Sequence, residues 1–136
     1  MALILLVGTE APLLEGLSQT LAAVGHVPRI ASTLSEAMEA AGQSPPLVAV
    51  VDRSLLVSAG DALRIPLAPG GAIVAYRLDG AETPPLPVSF QRVALADLRL
   101  PLERHRLVAL LHHVEARARS AGRDRDPMPP EQHPPA

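Results

Sequence analysis

Strands alternating with helices along 136 residues predict an α/β domain with a five-stranded parallel sheet covered on both faces. Two observations carry this expectation. The runs Ala2 to Val7, Leu47 to Val51 and Ala72 to Tyr76 are continuously apolar, as strands buried on both sides are. Between them lie segments with apolar residues at helical spacing, bounded by capping signals. Hydrophobic residues make up 48% of the chain and charged residues 19%, which suits one globular domain and not a disordered chain.

The first strand ends at Gly8. A helix follows from Pro12, with Leu14, Leu17, Leu21 and Val24 on one side and Gly25 as its stop. His26 to Ala31 reads as a short strand near a sheet edge, because Pro28 cannot donate a ladder bond. Thr33 and Glu36 form a capping box that opens a helix running to Gly42. Leu47 to Val51 then leads to Asp52. One short helical stretch fits within Leu55 to Leu67 before Pro69, Gly70 and Gly71. After the strand ending at Tyr76, Pro84, Pro85 and Pro87 argue against a long helix. A last strand within Val93 to Leu100 precedes an amphipathic helix opened by Pro101, with Leu107, Leu110, Leu111, Val114 and Ala118 on one side. The domain thus spans 1–118, and 119–136 reads as a disordered, Pro-rich C-terminal tail.

Composition narrows the function. A formal net charge of -2 gives no electrostatic case for nucleic acid. Without cysteine there are no disulfides and no thiolate chemistry. The apolar N-terminal run is too short to span a bilayer and lacks a basic leader, so a cytoplasmic protein without membrane contact is expected. Tyr76 and Phe90 are the only aromatics, which leaves little to stack against a base or a flavin. All 12 basic residues are arginine.

In open parallel sheets, sites form at the carboxyl ends of the strands. The loops after Val7, Val51, Tyr76 and Leu100 are therefore the candidates. In order and spacing of elements, with Asp52 closing the third strand and Pro101 following the fifth, residues 2 to 118 resemble the response-regulator receiver family. The resemblance implies a flavodoxin-like, doubly wound sheet of receiver type, with shortened third and fourth helices. It places Asp52 at the phospho-acceptor position. Gly8 and Thr9, followed by Glu10, stand where the family has an acidic pair that holds Mg²⁺. Tyr76 takes the place of a Ser or Thr, Leu100 that of the lysine before Pro101, and Asp97 that of an aromatic switch residue.

Phosphoryl transfer to a carboxylate needs charge neutralisation. Asp52 and Glu10 are the two candidate metal ligands, with Mg²⁺ expected only if Asp52 is phosphorylated and no other cofactor. No lysine elsewhere can take the place of the missing one, since the chain contains none; Arg99 should point away, which leaves Arg53 and Arg77 as the candidate substitutes. The resemblance therefore implies a non-enzymatic pseudo-receiver that binds a protein partner, such as a sensor kinase or another signalling protein, through its last helix and the Pro-rich face beside it. Shortened helices should leave Leu and Val uncovered there, favouring a homodimer. The alternatives are an active phospho-receiver using Asp52 and a flavodoxin-like small-ligand protein using the Gly8 loop. Asp52 also reads simply as the residue that caps the following turn. His105, His112 and His113 read as a solvated helix face without a metal-ligand pattern.

Overall fold

The computed structural model describes residues 2–59, 65–78, 94–100 and 103–125, with side chains to 120 except that of Ala59. Five strands, β1 (Leu3–Val7), β2 (Val27–Ala31), β3 (Val48–Asp52), β4 (Ala72–Leu78) and β5 (Ala94–Leu100), form one parallel sheet in the order β2-β1-β3-β4-β5. The helices are α1 (Ala11–Ala23), α2 (Leu34–Gln43), α3 (Arg53–Ala59) and α4 (Arg104–Arg125). This is the doubly wound order expected. Expectations for Pro101, for the segment 79–93 and for 126–136 lie outside the described residues.

Strand alternation divides the core in two. Ile4, Leu6, Val48, Val50, Val74, Tyr76, Leu98 and Leu100 face α1 and α4, meeting Leu14, Leu17, Leu21, Leu107, Leu111 and Val114. Leu5, Val7, Ala49, Val51, Ile73 and Ala75 face the other way, against Ala37, Ala41, Leu56 and Ile65. The second side is rich in alanine, which lets α2 approach the sheet closely. At about 25 cal/mol per Å² of apolar surface buried, the larger leucine side provides more of the burial energy.

Local signals behave as physical chemistry demands. α1 ends in a Schellman motif: Gly25 adopts φ 91°, its N–H donates to the Ala22 carbonyl at 3.1 Å, and the His26 N–H donates to the Leu21 carbonyl at 3.0 Å. The Thr33 hydroxyl caps α2 by accepting from the Glu36 N–H at 3.1 Å. Glu36 returns its carboxylate to the N–H and hydroxyl of Ser32, one residue earlier than in a standard capping box. β2 is an edge strand, as Pro28 suggested. Val27 donates inward to the Ala2 carbonyl at 2.8 Å, so Pro28 faces the open edge, where its missing N–H blunts strand addition.

Three differences from the sequence reading have physical causes. α3 begins at Arg53, ahead of the apolar run, because Asp52 caps it. α4 continues to Arg125, past the boundary at 118; Ala116, Ala118 and a Glu115–Arg119 ion pair at 3.2 Å favour helix. Of the exposed large aliphatics among the described residues, Leu95 alone lies at the β5 edge. Val24, Val27, Ile30 and Met38 lie on or near β2, at the opposite edge. Ile65 and Leu67 pack against the α3 side of the sheet and take over part of the cover a longer helix would give.

Candidate functional site

Positions 8, 52, 76 and 98 form a row across the carboxyl ends of the strands. Asp52 pairs with Tyr76 and Tyr76 with Leu98, and Gly8 follows Val7, the partner of Val51. All four lie on the α1/α4 face, with Leu100 one step beyond. A bulge between Ile73 and Val74 sets this register for β5: Ala94 packs on the α2 side, Ala96 on the α1 side, and Leu95 between them is exposed.

Asp52 is half-buried, and its Oδ1 accepts from the Ser54 N–H at 2.9 Å and from the Ser54 hydroxyl at 2.7 Å. One carboxylate oxygen is therefore engaged in capping α3. Glu10 and Thr9 are exposed, and the Glu10 side chain makes no cap bond to α1. The Gly8 N–H donates to the Ala31 carbonyl and the Ala11 N–H to the Thr9 carbonyl, while Pro12 has none.

Tyr76 decides the shape of the site. Its ring is fully buried, no group among the described residues bonds its hydroxyl, and a Cβ at position 8 would stand 1.9 Å from that oxygen. The phenol thus fills the side-chain space of position 8. Burial chiefly, and then the charges of Asp52 and Glu10, push the phenol pKa well above its ordinary value, so it is a neutral hydroxyl.

The cations are disposed differently from the sequence expectation. Arg53 is buried, and its Nη1 donates to Asp97 Oδ2 at 2.8 Å, joining the start of α3 to β5. Arg77 follows Tyr76 and so belongs to the opposite face of β4. Arg99 is exposed while Leu100 is fully buried, as alternation required. At the end of β5 stands a carboxylate: Glu103 accepts from the Arg99 N–H at 2.9 Å and from the Arg106 guanidinium, and these bonds hold it below the usual carboxylate range. No set of three or more His, Asp or Glu side chains among the described residues is arranged to hold a metal ion.

Sequence reasoning did not find the Arg53–Asp97 pair, the Glu103 contacts or the packing of Tyr76 against Gly8. Only the last left a signal, a glycine and a large side chain at the carboxyl ends of two strands.

No protein-family model matches the sequence, and no curated protein is similar to it. Solved structures are similar. NtrX from Brucella abortus superposes with a TM-score of 0.68 at 21% identity, over 92% of this chain and 28% of the NtrX chain. The present chain therefore spans well under half of NtrX. A response regulator receiver domain from Clostridium thermocellum matches with a TM-score of 0.65 at 17% identity, over 89% of this chain and 99% of that domain. A CheY-like receiver domain from Methylobacillus flagellatus matches with 0.68 at 15%, over 84% and 98%. The chain has the receiver fold. On this receiver fold, Asp52 stands at the end of the third strand, Gly8 and Thr9 follow the first, and Tyr76 and Leu100 lie on the fourth and fifth. Among the described residues, no helix is long and apolar enough to cross a membrane.

Proposed function

We propose that this receiver domain is a phosphorylation-independent signalling module, a pseudo-receiver that acts in the cytoplasm through protein contacts. The observation that carries the reading is the Tyr76 phenol, which occupies the side-chain space of position 8 beside Asp52. No carboxylate can stand at position 8 while the phenol is there. Asp52 Oδ1 is committed to Ser54, Glu10 is exposed, and Leu100 brings no charge to the site. Mg²⁺ is usually held by one or two carboxylates with substrate oxygens and water; here Ser54 engages one Asp52 oxygen, Glu10 is exposed and position 8 offers no ligand.

The surface for a partner is the outer side of α4, where Arg104, His105, Arg106, Arg117 and Arg119 are exposed. It suits an acidic protein surface, whether of a sensor kinase, of another signalling protein or of a second copy. A small-ligand role for the Gly8 loop has less support: the Gly8 and Ala11 amides are used by the backbone, and Pro12 offers none.

Incubation with acetyl phosphate and Mg²⁺ followed by intact-mass measurement tests the proposal. The expected result is an unmodified protein. A phosphate adduct that disappears in Asp52→Asn would instead establish an active phospho-receiver.

A further inference from the structure

Against the middle of α4, a second buried polar feature plays no part in the Asp52 site. His26 occupies the residue after Gly25 in the Schellman motif that ends α1, a place where an apolar side chain usually packs back on the helix. The histidine is only 5% exposed, and no group among the described residues bonds Nδ1 or Nε2. The His112 ring of α4 lies 5.6 Å away, tilted by 48°. The groups whose charge acts on it are Glu115 and His112, both on α4, and the chain's amino terminus.

We propose that His26 is an acid-sensitive staple between the α1–β2 corner and α4. Neutral, the imidazole packs like an apolar side chain beneath α4. A proton taken from solvent onto either nitrogen creates a charge on a buried ring whose nitrogens no group among the described residues bonds. The corner and the middle of α4 then separate.

Burial is the largest influence on the ring and lowers its pKa; Glu115 opposes this, while His112 and the amino terminus reinforce it. The sign follows. With a folded pKa below the unfolded value near 6.5, the unfolded or undocked state binds the proton first. The contact is at full strength above about pH 6.5 and is lost progressively as the pH falls from there toward the folded pKa.

The test is imidazole NMR titration of the full chain, with amide protection factors along α4 measured in parallel. His26 should titrate below 6.5, and protection around Leu111 and Val114 should fall about tenfold for each unit by which its pKa is depressed. His26→Leu should keep that protection at low pH. A His26 midpoint at or above 6.5 would overturn the proposal. So would an equal acid loss of protection in His26→Leu and the native chain. If His26→Leu does not fold, the titration of the native chain decides alone.

Discussion

An alanine at position 8 would place its Cβ 1.9 Å from the Tyr76 hydroxyl oxygen and 3.2 Å from the ring carbon that bears it. The phenol cannot retreat easily, because its ring is fully buried among the residues of the leucine-rich core. Overpacking of this kind costs roughly 1–3 kcal/mol. Urea denaturation of Gly8→Ala should show a loss of that size, and the same change in a Tyr76→Leu background should cost at least 0.5 kcal/mol less, roughly the smallest coupling expected of touching residues. Equal losses in both backgrounds would mean that the phenol does not fill the space of position 8. The hydroxyl itself gains no protein bond, and burying it unpaired is unfavourable by about 1–3 kcal/mol. Tyr76→Phe should therefore raise stability by about 1 kcal/mol in the same assay. A clear loss would show that the hydroxyl has a partner.

Among the elements, α3 is the one most changed by its surroundings. It is seven residues long, capped by Asp52 and tied to β5 through Arg53 and Asp97, which are 44 positions apart in sequence. Removing Asp97 takes a carboxylate partner from a buried guanidinium. Asp97→Ala should cost about 1–3 kcal/mol, and a double-mutant cycle with Arg53→Met should return a coupling of at least about 0.5 kcal/mol. A coupling near zero would mean that the pair contributes nothing to holding β5. Helix and strand identities were legible because period and caps are local: Gly25, Thr33 and the apolar runs each act within a few residues. The Arg53–Asp97 contact was not legible, because it depends on which strands neighbour each other and on a bulge that alternation cannot locate. The Glu36 contact with Ser32 was missed by one residue for a similar reason: cap geometry follows the backbone, not the spacing alone.

For the whole molecule, the parallel sheet followed from the pattern of elements, and its doubly wound receiver type and the place of Asp52 from the resemblance, while the state of the site did not. Asp52 marks the third strand's end in either case; what differs is the content of the space around it. That content comes from Gly8, Tyr76 and Leu100, residues whose meaning appears only when register sets them side by side. Gly8 by itself reads as a turn residue and Tyr76 as core, and both readings are correct. Their contact is what removes a carboxylate position from the site. The most direct test is to follow the amide resonances of Gly8, Asp52 and Tyr76 during addition of Mg²⁺, alone and with beryllofluoride as a phosphoryl mimic. The expected result is no saturable shift at millimolar Mg²⁺, with or without the mimic. Saturable shifts at Asp52 and Glu10 that vanish in Asp52→Asn would contradict the account, because they would require a metal and an anion where the Tyr76 phenol lies.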